Sequence, residues 1–517
     1  MEKRIIIASV LSIAILVLWG FLMPRSPQPI AKVKTVAKKT ERIKKPAMQK
    51  SAPALPLKAS VKAVKAPEIS GLHKNIVFRD KKFVARFHLP SGSLYSLSLI
   101  KYSYTVQNKK NIINLANAPH INEILNFTPG QGFSKIRLIG TKAGKNSIEF
   151  IYKLDGSIVL TKTYRFSSEN YSVHLLVSAK NLTGSPAILN GSFILAGGLN
   201  PNIKNEPYYL NYATILYVNN KSITPESTPS AKYRGNISFA GFNSKYFLFS
   251  AIAPTNLVYI KKSDNNISFI FPERFLVSSK KIFHTSFTIY AGPKKLSLLN
   301  AIGHDTATTL NYGFFSFFSI LLLHVLEFFY SFVHNYGLAI ILLVIAIRIV
   351  FYPLTYAGFK SMKQMQKLTP KISELREQYK DNKQELNKKI MELYKESKVN
   401  PFGGCLPMLL QIPVFYGLYE TLLISIQLRN APFFLWIANL STKDPYYILP
   451  ILMGITMFIS QKMNPVVGDP TQAKMMLILP VIFTVIFVNF PAGLLLYWTV
   501  NNVLTIMQQY IINKKFA

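Results

Sequence analysis

Arg348 is the residue whose surroundings most strongly suggest a chemical role. It lies inside the run IILLVIAIRIVF, residues 340–351, with apolar neighbours on both sides. An arginine near the middle of a membrane helix costs about 2.5–3.5 kcal/mol, and such a charge usually faces the protein interior or water. The alternative is a side chain that extends to the nearby cytoplasmic surface. We favour a functional arginine over this alternative.

Polar residues in other apolar segments could complete a site around this arginine. Tyr497, Asn501 and Thr505 are four residues apart in the last segment and therefore share one helix face. Further polar residues lie beside this face or in other segments: Gln411, Thr456, Ser460, Asn502 and Gln509. Each alone is typical of a polar contact between packed helices. Together with Arg348 they predict a polar cavity inside the membrane, whereas Glu420 is expected at too different a depth to pair with Arg348.

The residues that usually mark an enzyme are missing from the sequence. The eight histidines are scattered, without HExxH or a Cys/His cluster for a metal. Segment 140–146, GTKAGKN, resembles a phosphate loop, but its glycine spacing differs and Asn146 replaces the needed Ser or Thr, so a turn between strands is predicted. The single cysteine, Cys405, excludes an intrachain disulfide and suits a small packing residue. We expect no enzyme, no metal and no cofactor.

Composition indicates a membrane protein with a soluble part. Hydrophobic residues make up 49% of the 517 residues and charged residues only 16%, below the roughly 25% of soluble domains. The net charge of +37 raises nucleic-acid binding as a possibility. The basic residues, however, collect in a linker and in loops beside apolar segments, where they suit membrane topology and contact with anionic lipid. We therefore expect no nucleic-acid partner.

The N-terminal part predicts an anchor, a linker and a β domain. Residues 1–23 contain a 19-residue apolar stretch without a small-x-small cleavage site, which predicts an uncleaved membrane anchor. Residues 24–70, rich in Lys, Ala and Pro, predict a disordered basic linker. In residues 71–305 short alternating strands recur with turn residues between them, as in the hairpin around Asp155-Gly156. This pattern predicts a β-sandwich.

The C-terminal part predicts a helical membrane core. Five apolar segments have spanning character, namely Tyr336–Tyr356, Gly404–Gln427, Tyr446–Lys462, Met475–Phe490 and Ala492–Ile512. The short turn NFPAG, residues 489–493, predicts that the last two helices form an antiparallel hairpin. Tyr312–Phe332 has similar length but is interrupted by His324 and Glu327. With the anchor, the chain is predicted to have six transmembrane helices, five of them forming the core.

Charges in the short loops predict the orientation of the chain. Eleven Lys or Arg residues lie between Lys360 and Lys398, and four more lysines are expected on the same side. The opposite loops offer only Arg429 and Lys443. Because short basic loops stay in the cytoplasm, both termini are predicted to be cytoplasmic and the β domain to lie outside.

The loop of residues 360–400 predicts a helical hairpin. Its apolar residues recur at helical spacing and would form a seam between two helices: Leu368, Ile372, Leu375, Tyr379, Leu386, Ile390 and Leu393. Asp381 followed by Gln384 fits a helix N-cap with glutamine at the third position. The sequence does not distinguish between two roles of this hairpin, a solvated spacer and a docking surface.

Several motifs of the C-terminal part resemble the YidC family of membrane protein insertases. They are IRIVFYPLT (347–355), KVNPFGGCLP (398–407), LQIP (410–413), DPYYILPILMG (444–454), LPVIFT (479–484) and FPAGL (490–494). The resemblance runs continuously over residues 337–512, whereas the β region and linker match in position and type more than in motif.

The resemblance implies a bacterial inner-membrane insertase and chaperone that acts on nascent integral membrane proteins, alone or with the Sec translocon. It implies a periplasmic β-supersandwich, an interfacial amphipathic helix at residues 306–335, a functional cytoplasmic hairpin and a hydrated groove lined by Arg348. The groove departs from the family pattern at two places. Val344 stands one turn before the arginine, where relatives often have a polar residue, and Tyr497-Trp498 stands where relatives have a tyrosine pair. The ribosome is a further candidate partner, although the tail 513–517 lacks the long basic extension of some relatives.

Two other functions fit parts of the sequence. A secondary transporter could bind a small anion at Arg348, but such transporters often contain internal repeats, and none is found among the five segments. An envelope anchor whose β domain binds a ligand is the third possibility. It predicts that the β domain alone retains the function.

Overall fold

The computed structural model describes residues 75–104, 106, 108–115, 123–130, 133, 135–167, 169–198, 213–225, 230–263, 266–397, 399, 406–463 and 470–516. The predicted anchor and linker, Cys405 and the motif around it lie outside these residues. The chain divides into two compact units. Most of the first unit lies between residues 75 and 292, and most of the second follows residue 307.

The first unit is formed by eighteen strands. They are β1 Asn75–Arg79, β2 Phe83–His88, β3 Ser93–Ser103, β4 Ile112–Asn114, β5 Leu125–Pro129, β6 Ile136–Ala143, β7 Ser147–Leu154, β8 Ile158–Phe166, β9 Ser172–Asn181, β10 Ala187–Gly198, β11 Ala213–Val218, β12 Lys221–Ile223, β13 Ser230–Arg234, β14 Ile237–Asn243, β15 Phe247–Ile252, β16 Leu257–Ser263, β17 Asn266–Val277 and β18 Ile282–Pro293.

These strands form two nine-stranded antiparallel sheets. The first has the order β1-β2-β3-β5-β10-β17-β16-β13, with β4 paired to β3, and the second has the order β12-β11-β14-β15-β18-β9-β8-β7-β6. Side chains of β7 and β8 alternate between buried and partly exposed. Aromatic residues such as Phe87, Phe150 and Tyr164 fill the space between the sheets and are fully buried. The predicted β-sandwich is therefore confirmed.

Two predicted turns are present. β7 and β8 pair from Leu154 with Ile158, and the connecting Asp155 and Gly156 both have positive φ, which these residue types tolerate. The glycine-rich segment 140–146 begins in β6, which ends at Ala143, and its last three residues form the turn to β7, where Gly144 N donates to Ser147 O. The predicted turn is thus present at residues 144–146.

The second unit is helical. Its helices are α1 Leu296–Ile302, α2 Ser316–Val333, α3 Tyr336–Lys367, α4 Thr369–Gln378, α5 Lys383–Glu396, α6 Leu406–Ile424, α7 Ile448–Met463, α8 Pro470–Phe487 and α9 Ala492–Phe516. α9 packs against α3 and α7, α2 packs against α3 and α6, and α8 packs against α7. One apolar cluster contains side chains from α2, α3, α6, α7, α8 and α9.

α3 continues beyond the predicted end of its span at Tyr356. Its segments Tyr336–Val350 and Tyr352–Lys367 meet at an angle of 63°. Pro353 lies just after this bend, and a proline removes one helical hydrogen bond and clashes with the preceding turn. Residues 360–367, the first part of the predicted loop, therefore belong to the end of α3. This end points in a different direction from the first part of the helix.

Helix length and composition do not establish how many helices cross the membrane. Among the described residues, α2 is long and apolar enough to cross, and α3 is a second candidate if its two bent parts count as one span. α7 and the Met476–Phe487 part of α8 are shorter apolar helices. The count of six transmembrane helices stays a prediction.

Candidate functional site

Arg348 of α3 meets the last helix, α9. Its Nε donates to Asn501 Oδ1 at 3.1 Å, and its Nη2 donates to the same oxygen at 2.7 Å and to the Asn501 carbonyl at 3.1 Å. Nη2 also donates to the Thr505 hydroxyl, which itself donates to the Asn501 carbonyl at 2.7 Å. The helical repeat that places Asn501 and Thr505 on one face thus brings both to the guanidinium.

The charge of Arg348 is balanced by dipoles rather than by a carboxylate. Within the described part of the chain, no carboxylate forms an ion pair with it. Its partners are an amide oxygen, a backbone carbonyl and a hydroxyl, all on α9. Nη1 takes no part in these hydrogen bonds. A held but unneutralised guanidinium can still attract an acidic or polar group.

A pocket of about 390 Å³ lies beside Arg348, between α3 and α9. Its other lining residues are Ile345, Ile349, Tyr352, Pro353, Leu504, Met507, Gln508 and Ile511. Several apolar residues of this lining are exposed, including Ile349, Met507 and Ile511. Gln508 Nε2 donates to Thr355 Oγ1 at 2.6 Å. This hydrogen bond connects α9 to the part of α3 that follows the bend. The pocket therefore combines one cation with an open apolar rim.

Trp498 and Tyr497 do not contact Arg348 through hydrogen bonds. The Trp498 ring packs against Phe415 and Phe487, with centroids 4.8 and 4.7 Å apart. Tyr497 is 3% exposed, belongs to the apolar cluster and stacks near Phe415 at 6.3 Å. These ring contacts join α8 to α9 near their connecting turn, whereas along their lengths both helices pack on α7.

The remaining polar candidates lie on other faces. Among the described residues Gln411 is half-buried and makes no hydrogen bond. Asn502 Nδ2 faces α7, where it donates to Met453 O at 3.4 Å and to Thr456 Oγ1 at 3.3 Å. Glu420 hydrogen-bonds the Tyr416 hydroxyl one turn earlier on α6. The structure thus brings Arg348, Asn501 and Thr505 together through hydrogen bonds, with Tyr497 close enough for an electrostatic interaction with Arg348. Gln411 and Trp498 make no hydrogen bond to this group within the described part of the chain.

Gln508, which lines the pocket, and its hydrogen-bond partner Thr355 were not predicted from the sequence. Gln508 lies three residues after Thr505 and so continues the Tyr497–Asn501–Thr505 face. That spacing could have identified it. Thr355 could not have been assigned in this way, because it reaches Gln508 only through the bend of α3.

The predicted hairpin seam lies between α4 and α5, which pack together. Ile372 is buried, and the other predicted seam residues are half-buried: Leu368, Leu375, Tyr379, Leu386, Ile390 and Leu393. The N-cap of α5 lies one residue later than predicted. Asn382, not Asp381, is the N-cap of α5, and its Oδ1 accepts from Glu385 N at 3.1 Å. The backbone of Asn382 is non-helical, with φ −123° and ψ 86°, so its side chain can turn back onto the first helical turn.

Two family models match successive parts of the chain. Residues 75–325 match a model described as YidC periplasmic domain, and residues 328–517 match one described as 60Kd inner membrane protein. A membrane protein insertase YidC from Geotalea daltonii is 38% identical over 540 residues, which cover 99% of each chain. The chain belongs to the YidC family of membrane protein insertases. Membership places this chain in an inner membrane and its β domain in the periplasm.

A second curated relative is matched over its full length. The membrane protein insertase YidC of Citrifermentans bemidjiense is 38% identical over 546 residues, covering 100% of both chains. A solved structure described as an active YidC insertase with its first transmembrane domain resolved is 20% identical, with a TM-score of 0.38 over 85% of this chain and 93% of that one. The YidC-family relatives are named for insertion and not for a catalysed reaction.

Proposed function

We propose that this protein inserts and folds nascent inner-membrane proteins through the pocket between α3 and α9. The observation that carries the proposal is the geometry of Arg348. Its guanidinium is fixed from one side by Asn501 and Thr505, and it also lines a pocket with an exposed apolar rim. Membership of the insertase family favours this function over transport of a small anion.

The physical basis of the mechanism is the cost of moving polar groups through hydrocarbon. A polar segment that crosses lipid loses its hydration, and its backbone groups are left without partners. A polar site part-way across the membrane shortens the apolar path. Arg348 can hold an acidic or polar group of the arriving segment, while the substrate's apolar helix moves along Ile349, Met507 and Ile511 into lipid. Helix insertion is itself favourable, so no nucleotide is required.

The proposed topology has six transmembrane helices. These are the anchor at residues 1–23, the first part of α3, and α6, α7, α8 and α9. Both termini and the α4–α5 hairpin are placed in the cytoplasm by the basic short loops. α2 is proposed to stay on the outer side without crossing, because a crossing would put the periplasmic β domain and the hairpin on the same side of the membrane.

The Sec translocon, anionic lipid and the ribosome are proposed partners. The charged outer faces of α4 and α5 suit a docking surface for cytoplasmic machinery, and the basic segments suit anionic headgroups. The substrates, however, are expected to engage the Arg348 pocket and not the hairpin. Deleting residues 71–261 tests whether the β domain is needed, and insertion by a stably expressed core would contradict the envelope-anchor alternative.

The decisive experiment is insertion of a substrate series that differs only in the charge of the translocated segment. Arg348→Ala should most strongly impair substrates with short acidic segments, since charge and hydrogen bonds are both lost. Arg348→Lys keeps the charge but not the planar fork, so its effect should be smaller. Apolar substrates should be least affected. Equal insertion by wild type and Arg348→Ala across the whole series, at equal protein levels, would refute the groove mechanism.

A further inference from the structure

One face of α2 is a row of exposed apolar side chains that the proposed insertion site does not use. Phe317 is 72% exposed and Phe332 is 66% exposed. The complete row within α2, called here the α2 ridge, is Phe317, Leu321, Phe328 and Phe332. Spacings of four, seven and four residues keep these side chains on one helix face. Burying each side chain would gain roughly 1.5–3 kcal/mol, so a stable protein is expected to cover the ridge.

The opposite face of α2 contacts α6 in the same order along both helices. Phe315 packs on Tyr416, with ring centroids 5.5 Å apart, and the Thr421 hydroxyl donates to Ser319 O at 2.8 Å. Further along, Gln427 donates to Glu327 at 2.8 Å, just after α6 ends. The two helices therefore run side by side in the same direction. A helix lying flat across the outer ends of the spans would not contact α6 in this progressive order.

Small residues allow this close packing. A Cβ added at Gly417 would lie 2.9 Å from Phe318 Cβ and 3.0 Å from the Ser319 backbone nitrogen. Close approach at Gly, Ser and Thr is typical of helices packed within a membrane. Leu322 and Leu326 on the same side of α2 belong to the apolar cluster that includes α3 and α6. α2 is thus packed along α6 rather than resting on its end.

Glu327 is the only Asp, Glu, Lys or Arg residue of α2 and lies in the second half of the helix. Glu327 forms an ion pair with Lys295 at 3.5 Å, and both side chains are partly exposed. Residues 316–326 of α2 come before Glu327 in the chain. They lie along the part of α6 that includes Gly417, which is seven residues before the end of α6. His324 lies near the ridge, and its Nδ1 donates to Ile320 O at 2.7 Å, so one of its polar groups is satisfied within the helix.

We infer that α2 is inclined into the outer leaflet, with Phe317 and Leu321 against lipid acyl chains and Glu327 at headgroup level. The partner of the ridge is lipid, because the ridge continues the outer surface of helices that are themselves packed in the membrane. This inference rests on the proposed crossing of α6 and α9. It differs from a helix that lies flat on the outer surface, in which all ridge residues would have the same depth.

Spin labels on the full-length protein in proteoliposomes test this inclination. In a Cys405→Ser background, single cysteines at Phe317, Leu321, Phe328 and Phe332 would be labelled, and collisions with oxygen and with a water-soluble nickel chelate would give the depth of each label. The fifteen residues between Phe317 and Phe332 span about 22 Å along the helix axis. We expect the Phe317 label to lie deeper than the Phe332 label by about 10 Å or more.

Labels at Val503, Met507 and Ile511 on α9 provide the matched control. These exposed residues are four apart on one face and should show a steady change of depth if α9 crosses the membrane. Equal depths along α2 with a gradient along α9 would overturn the inclination and leave the proposed topology intact. Equal depths along α9 would overturn the topology and with it the inference. Ridge labels shielded from both reagents would show that protein, not lipid, covers α2, which also overturns the inference.

Discussion

Arg348 and Asn501 are joined across α3 and α9 by three hydrogen bonds, from two guanidinium nitrogens to the amide oxygen and the backbone carbonyl of the asparagine. The neighbouring Asn502 points to α7 instead. Two adjacent asparagines thus have separate roles, one toward the arginine and one in helix packing. This difference provides a matched pair of substitutions.

Asn501→Leu should impair insertion of substrates with acidic translocated segments. Leucine has a similar size but no acceptor, so the guanidinium loses two of its bonds, each worth roughly 1.5–3 kcal/mol when one partner is charged. A several-fold slower insertion of acidic substrates is expected, with little change for apolar ones. Asn502→Leu is the control, since it makes the same chemical change on the other face. A selective loss of acidic substrates in both variants would contradict a specific role of Asn501.

Pro353→Ala should reduce the bend of α3. Alanine restores the backbone N–H and removes the ring clash, so the second part of α3 should straighten from its 63° angle. Thr355 should then move away from Gln508. Disulfide cross-linking of cysteines at these two positions should fall in the Pro353→Ala variant. Cross-linking between positions 456 and 502, which lie on α7 and α9, should not change, and an unchanged 355–508 yield would show that packing and not Pro353 sets the bend.

Asn382→Ala should destabilise the start of α5, whereas Asp381→Ala should have little effect. Only Asn382 accepts a hydrogen bond from the first turn of α5. Loss of such a cap costs about 1 kcal/mol. Amide hydrogen exchange in residues 383–386 should become several-fold faster in the Asn382 variant. Equal acceleration in the two variants would show that the Asn382 side chain has no specific capping role at this helix start.

Lys162 should make the stability of the β domain depend on pH. It is 4% exposed between the two sheets, and its Nζ donates to Asn126 Oδ1 at 2.7 Å and to Ser91 O at 3.0 Å. Burial lowers the pKa of Lys162 to about 7, from an ordinary value of 10.5. Between these two values the unfolded chain binds more protons than the folded domain, so the free energy of unfolding rises with pH, by up to about 1.4 kcal/mol per pH unit.

Thermal unfolding of the full-length protein at pH 7 and pH 9 measures this dependence. Lys162→Met should remove part of the rise in the β-domain midpoint, while Lys153→Met, which changes an exposed lysine on the adjacent strand, should keep it. Part of the rise should remain in Lys162→Met because burial also lowers the pKa of Lys82, which lies in the same β unit. A full rise in Lys162→Met would show that Lys162 is not the titrating group.

The sequence by itself determined the class of the protein, the β-sandwich and the face that carries Asn501 and Thr505. These features follow from local regularities: alternation in strands, long apolar runs in membrane helices and the repeat of 3.6 residues per turn. Arg348 was also identifiable, because a charge in an apolar run is costly wherever the helix lies. The Asp155-Gly156 turn was predictable for the same local reason.

Only the tertiary structure decided which neighbour each side chain meets. Tyr497 and Trp498 are adjacent in sequence, but one residue rotates a helix by about 100°, so Trp498 reaches Phe415 and Phe487 while the face with Asn501 turns to α3. The contact between Thr355 and Gln508 depends on the bend of α3, and the position of α2 depends on its packing along α6. Spacing fixes which residues share a face, whereas the partner of that face is set by contacts between segments far apart in the chain.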